Sequence, residues 1–226
     1  MPPTYRLFSG NCQWPGYHST NAAPWSRRCK EIAAAVHKAG ATLAVFQELG
    51  QSEAHDMGNA LGQNWEYQRS GLNCVFWDHT WKFDEEREWN LPTGPQWPTR
   101  TIIVCRLIHA TSKQYLWVAS THFISQAPPD VTQAGADKLR AQQAATVIAT
   151  FDGFHQLIIG ADVNSKASEV GGVHRKLAEH FTIQPDGIDV IACKDRVIVS
   201  KVATVDLKDA SDHDAHYADF TIINPP

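Results

Sequence analysis

Eight polar residues in this 226-residue chain share one kind of address. Asn11 follows Tyr5-Arg6-Leu7-Phe8, and Glu48 follows Ala44-Val45-Phe46. His122 follows Trp117-Val118-Ala119-Ser120-Thr121, and Asp162 and Asn164 follow Leu157-Ile158-Ile159. Asp189 lies inside Gly187-Ile188-Asp189-Val190-Ile191, and Asp212 and His213 stand just before the last apolar segment. Each apolar segment reads as a β-strand, so each polar residue sits at or beside a strand end. Strand ends of stacked sheets converge on one rim. Carboxylates, amides and imidazoles gathered there suit a hard divalent cation and a phosphate. Singly, each residue has a bland reading. Glu48 is a solvated cap, Asp162 and Asn164 are turn formers, His122 is a structural histidine, and Ser211-Asp212-His213 is a helix cap or turn. The ordered set carries the information.

The elements that must position them follow from pattern and punctuation. Helices are expected from Pro24 or Ser26 to Gly40, from Ser52 to Leu61, from Ala134 to Phe151, and near Val173 to His180. Leu139, Ala145, Val147 and Ile148 are the expected inward positions of the third. Strands are expected at Tyr5 to Phe8, Thr42 to Phe46, Leu72 to Trp77, Thr101 to Leu107, Tyr115 to Thr121, Leu157 to Gly160, Ile188 to Ala192, Arg196 to Ser200 and Ala218 to Ile223. Pro15-Gly16 breaks the chain after the first strand, and Pro92 to Pro98 reads as an exposed loop. There is no repeat, low-complexity tract or linker, so residues 1–226 read as one domain. The order lacks regular β-α alternation, and neither G-x-G-x-x-G nor a P-loop motif occurs. An α/β architecture fits better: a two-layer β-sandwich flanked by helices, making four layers.

Asn11, Gln47-Glu48, Thr121-His122, Gly160-Ala161-Asp162-Val163-Asn164, Ile188-Asp189-Val190-Ile191 and Ser211-Asp212-His213 occur in an order that resembles the endonuclease/exonuclease/phosphatase superfamily, the deoxyribonuclease I-like proteins. The resemblance runs from about residue 5 to 221. The D-x-N after a buried strand and the terminal S-D-H are its most specific pieces. Departures exist: Asp214-Ala215 follows His213 where a proline is common, Ala161 displaces a glycine before Asp162, and Pro185-Asp186-Gly187-Ile188 lacks the usual aromatic or arginine. They bear on substrate choice, since no reacting group is removed.

The resemblance and the chemistry together assign roles. Glu48 is the first metal ligand, with Asn11 and Asp212 beside it, for Mg2+ or substituting Mn2+. His213 is the base that activates water, and Asp189 holds its tautomer. Asp162 orients the nucleophile or protonates the leaving group. Asn164 and His122 are catalytic donors that also bind the non-bridging phosphate oxygens. Arg100 is a candidate substrate contact, and Lys166 a neighbour for a flanking phosphate. The implied activity is a magnesium-dependent phosphodiesterase on nucleic acid, a nuclease acting on DNA, endo or exo. The alternatives are a phosphatase or phospholipase with the same site, and a catalytically silent binding module.

Composition bounds the rest. The chain carries 24 acids against 20 bases, net −4, which argues against a generally basic nucleic-acid coat. If four acids sit at a metal, the other 20 balance the 20 bases. Five widely spaced cysteines without a C-x-x-C pair argue against a zinc ribbon or disulfide framework. No apolar run reaches a membrane span, and the N-terminus does not read as a secretory signal. A monomeric cytoplasmic protein with reduced cysteines is expected. Trp77, Trp81, Trp89 and Trp97 crowd one stretch, in which some rings are expected to stack on bases and most to pack the core.

Overall fold

The computed structural model describes residues 2–14, 23–125, 132–166, 168 and 172–223, so the expected break at Pro15-Gly16 lies outside them. Among the described residues, twelve strands form two sheets of six. The first sheet runs in the order β11 (Val197–Val205), β12 (Ala215–Ile222), β1 (Thr4–Asn11), β2 (Leu43–Gln47), β4 (Asn73–Asp78), β3 (Trp65–Ser70). The second runs β5 (Trp81–Leu91), β6 (Arg100–His109), β7 (Tyr115–His122), β8 (Gln156–Asp162), β10 (Asp189–Asp195), β9 (Thr182–Asp186). Each sheet holds one parallel pair, β1–β2 and β7–β8, amid antiparallel neighbours. Parallel neighbours need a crossover. Helix α1 (Trp25–Ala39) supplies the first, and α3 (Gln133–Thr150) the second. Helices α2 (Gln51–Leu61) and α4 (Val173–Ala178) complete the outer layers. The expected α/β sandwich is what the chain forms.

The sheets pack face to face over a core that includes Leu7, Val45, Val75, Ile103, Val118, Ile158, Ile191 and Phe220. The α1–α2 layer covers the first sheet through Ile32, Val36, Met57 and Phe46. Helix α3 covers the second through Ala144 and Val147, with Phe151 beside its end. Its buried face also carries Arg140 and Gln143, whereas the expected inward residue Ala145 is exposed. Those two polar side chains are satisfied by backbone. Gln143 Oε1 accepts from Ile124 N–H and Nε2 donates to Pro92 O, while Arg140 donates to Ser125 O. Apolar periodicity cannot reveal such a face.

Trp77 and Trp81 are buried between the sheets. Trp89 packs edge-on against Phe151 and Phe154. Trp97 is half-buried on the 92–99 loop, with its ring against Gly94. The tryptophan-dense stretch therefore serves packing and presents no row of stacking rings. All five cysteines are buried and free. No helix among the described residues is long and apolar enough to cross a membrane.

Candidate active site

The two parallel pairs end at the same rim. In the first sheet Asn11 pairs with Gln47 at the ends of β1 and β2, so Glu48 is the next residue out. In the second, His122, Asp162 and Asp189 pair in one row across β7, β8 and β10. The sheets approach closely behind this rim. A Cβ on Gly160 would stand 2.3 Å from Val45 Cγ2 and 2.4 Å from Ser9 Oγ. A polar stitch fixes the approach: Gln47 Nε2 donates to Ser120 Oγ (3.1 Å) and Gly160 O (3.3 Å), and Ser120 Oγ donates to Phe46 O. Gln47 thus ties the sheets together beneath Glu48.

Asn11 bridges two carboxylates. Its Nδ2 donates to Glu48 Oε1 (3.1 Å) and to Asp162 Oδ2 (3.0 Å), while its Oδ1 accepts from Gln13 N–H. Glu48 Oε2 accepts from Trp14 N–H at 2.7 Å. Glu48 adopts φ +64° and Asn164 φ +49°, a left-handed conformation costly for glutamate. Strain of this kind clusters where a side chain must be aimed.

Arg100 Nη1 lies 3.1 Å from His122 Nδ1. A guanidinium only donates, so Nδ1 accepts and the ring proton sits on Nε2. That atom lies 3.4 Å from Asp162 Oδ2 and 2.9 Å from the Asn164 amide. Burial, with the charges of Arg100 and His213, holds His122 well below the usual histidine range, so it is neutral. Nδ1 accepts from Arg100 and the Nε2 proton faces Asp162 Oδ2, so His122 joins Arg100 to Asp162, while the Asn164 Nδ2 beside it is itself a donor. Asn164 N–H donates to Asp162 Oδ1 (2.9 Å), and its Nδ2 reaches Phe123 O.

His213 Nδ1 lies 3.2 Å from Asp189 Oδ2, and its Nε2 lies 4.0 Å from Asp162 Oδ2. Burial pulls the imidazole down. The hydrogen bond to Asp189 and the charges of Asp162, Asp189 and Asp212 outweigh it and push it up to about 9. Asp162, 1% exposed, is pushed up to about 7 by burial and by Asp189, against His213, Asn11 and the Asn164 N–H. Asp162, Asp189 and His213 present ligand atoms within 4.8 Å of one another. Asp212 is exposed and reaches the cluster as a charge near His213. Lys166 is exposed two residues beyond Asn164.

The donors fit a hard divalent cation. They are mainly oxygen: Asn11 bridges the Glu48 and Asp162 carboxylates, Asp189 adds its charge beside Asp162, and burial pushes Asp162 toward protonation.

Sequence reasoning missed one supporting residue. Arg28 on α1 is 2% exposed and donates to Cys12 O, Gln13 O and Ala210 O. Ser211 Oγ in turn donates to Asn11 O and accepts from His213 N–H. The Asn11 and His213 loops are thereby one unit. A lone arginine in a helix pattern carries no sequence signal of such a role.

Solved structures with this arrangement of sheets and helices decide the fold. An endonuclease/exonuclease/phosphatase family protein from Bacteroides thetaiotaomicron superposes with TM-score 0.82 at 13% identity, covering 99% of this chain and 96% of that one. The fold is DNase I-like. Two further proteins share it. The Bacteroides thetaiotaomicron mannosyl-6-phosphatase superposes at TM-score 0.79 and 13% identity, covering 96% of this chain and 100% of its own. D. rerio TDP2, complexed with single-strand DNA product, superposes at 0.71 and 16%, covering 96% and 99%. No protein-family model matches the sequence, and no curated protein does so significantly. The DNase I-like fold is thus carried here by a sequence only 13–16% identical to these three.

Proposed function

We propose that residues 1–226 act as one catalytic domain, a magnesium-dependent phosphodiesterase that hydrolyses nucleic-acid phosphodiester bonds, with DNA as substrate. The observation that carries this reading is the His122–Asp162–Asp189 row meeting Asn11 and Glu48 from the other sheet, with His213 on Asp189. A silent binding module has no use for a neutral buried histidine, a carboxylate raised to about 7 and an Asp–His pair in one cluster.

Glu48 and Asn11 would hold the cation, with Asp212 or Asp162 completing the oxygen donors. When bound, the cation neutralises charge on the phosphate oxygens and offsets the carboxylates that hold His213 up. His213 Nε2 takes the proton of the attacking water, while Asp189 keeps the ring oriented through Nδ1 and stabilises the imidazolium. Asp162 faces both His213 and His122 and orients the nucleophile. Asn164 and Arg100 are the donors for the non-bridging oxygens, with neutral His122 between them.

TDP2 with its DNA product supports the polynucleotide reading. The mannosyl-6-phosphatase gives the second reading, a phosphatase on a small phosphomonoester. Incubating purified protein with plasmid, single-stranded DNA, RNA and a phosphomonoester panel, in magnesium, manganese or EDTA, separates them. Faster turnover of a phosphomonoester than of any polynucleotide at equal metal replaces the first reading by the second.

A further inference from the structure

Each parallel strand pair is bridged by a helix that carries a buried arginine. Arg28 on α1 is 2% exposed and Arg140 on α3 is 3% exposed. Both donate to carbonyls of the chain that leaves the first strand of the pair. Arg28 reaches Cys12 O (2.7 Å) and Gln13 O (2.9 Å), just beyond Asn11 at the end of β1. Arg140, itself held by Asp137, reaches Ser125 O (3.0 Å) and more loosely Ile124 O (3.5 Å), just beyond His122 at the end of β7.

The other edge of each segment faces the site. Beside Arg28, Cys12 N–H donates to Gln47 O (3.0 Å), Gln13 N–H to Asn11 Oδ1 (2.9 Å) and Trp14 N–H to Glu48 Oε2 (2.7 Å). Arg28 also donates to Ala210 O (3.1 Å), next to the Ser211 hydroxyl that joins Asn11 O to His213 N–H. Beside Arg140, Phe123 N–H donates to Asp162 O (2.9 Å) and Phe123 O accepts from Asn164 Nδ2 (3.2 Å). Gln143, also on α3, holds Ile124 N–H in the same segment. A buried carbonyl beyond a strand end has lost its ladder partner and needs another donor. A guanidinium offers several donors in a rigid fork, so it fixes neighbouring carbonyls relative to one another and to its helix.

We propose that Arg28 and Arg140 are positioning residues, one for each half of the site. Arg28 sets the cation ligands Asn11 and Glu48 and, through Ala210, the His213 loop. Arg140 sets His122 and Asn164 on the phosphate side. The assignment rests on the metal-dependent reading of the site above and holds for either substrate class.

Mn2+ is the probe, with the free ion measured by electron paramagnetic resonance, so the metal measurement needs no turnover. The second measurement is turnover at saturating Mn2+ of a chromogenic phosphodiester or phosphomonoester, whichever the native protein cleaves faster. Arg28→Lys and Arg140→Lys keep the charge but replace the fork by a single point donor. Arg28→Lys is expected to weaken Mn2+ binding by about 10- to 100-fold, the range for groups that orient metal ligands. Arg140→Lys is expected to leave Mn2+ affinity unchanged and to lower turnover at saturating Mn2+ by about 10- to 100-fold. A purely structural role would lower the urea midpoint of both variants and move neither measurement in the folded protein. That result overturns the assignment, as does an Mn2+ affinity that falls equally in both variants. Arg28→Gln and Arg140→Gln repeat the test where lysine does not fold, and failure of both substitutions to fold makes that arginine structural and overturns its assignment. A native protein that binds no Mn2+, binds it undiminished in Glu48→Gln, or cleaves neither ester overturns the metal-dependent reading itself and takes the assignment with it.

Discussion

His213 and Asp162 show how one cluster separates two titrations. The same three aspartates that raise the imidazole to about 9 include the one whose own value rises to about 7. His213→Ala is expected to lower turnover at least ~100-fold, the lower bound for general-base help, with the circular-dichroism spectrum retained. A folded variant within about threefold of the parent removes His213 from the base role. Stability supplies an independent check. His122 is held below its unfolded value, so the unfolded chain binds a proton below about pH 6.5 that the native state refuses, and acid destabilises. Asp162 is held above its unfolded value of 3.8, so between 3.8 and about 7 the native state binds the extra proton, and acid stabilises. The two offset each other in that window. Asp162→Asn removes the second and uncovers the first. In EDTA, the variant is expected to lose stability relative to the parent by about 1 kcal/mol per pH unit as pH falls from 6.5 toward 4, measured by urea unfolding. Parallel pH dependences for variant and parent would exclude this pairing.

At the scale of elements, the two sheets repeat one order. In each, a strand, a crossover helix, a parallel strand, a second helix and two strands follow one another: β1-α1-β2-α2-β3-β4 and β7-α3-β8-α4-β9-β10. A hairpin, β11–β12 or β5–β6, flanks each series. The sequence shows no repeat, because only the strand ends and core positions constrain residue type. Those strand ends are where the site was legible: Asn11, Glu48, His122, Asp162 and Asp189 all close or open central strands whose apolar runs are plain. The strands left unread were β3, β5 and β9, and each is a sheet edge. Trp65-Glu66-Tyr67-Gln68-Arg69-Ser70 has no apolar run, β5 carries Lys82 and the charged run Asp84-Glu85-Glu86-Arg87-Glu88, and β9 contains Pro185. Edges are charged or proline-bearing because an apolar edge would recruit another strand, so the physics that protects them hides them from periodicity. The fourth edge, β11, was read only to Ser200, because the polar pair Ser200-Lys201 interrupts its apolar residues where the register also shifts, between Val199 and Lys201. The close approach of the sheets gives an element-scale prediction. Gly160→Ala forces a methyl against Val45 and Ser9 backed by the Gln47–Ser120 stitch. It should destabilise by about 1–3 kcal/mol, the usual cost of overpacking, seen as a lower urea midpoint at unchanged slope. An unchanged midpoint would mean that the sheets separate there freely.

Over the whole molecule, charge decides how a polyanion is admitted. The chain is net −4, and the site itself gathers Glu48, Asp162 and Asp189 with Asp212 beside them. Without a cation this rim repels a phosphate, so the divalent cation is expected to be needed for binding as well as for turnover. Metal-stripped protein in EDTA should therefore neither cleave nor retain an oligonucleotide, and added Mg2+ should restore both. Full turnover in excess EDTA would refute the metal requirement outright. Among the described residues the cations near the rim are few: Arg100 is tied to His122, Arg28 is turned to backbone carbonyls, and Lys166 is exposed. With two phosphates neutralised, the logarithm of affinity should fall against the logarithm of salt with a slope of about −2, near −0.9 per phosphate. Raising monovalent salt fourfold at constant Mg2+ would then weaken binding by about tenfold. A slope steeper than about −5 would require a basic groove with several more phosphate contacts, and the acidic balance of this chain argues against one.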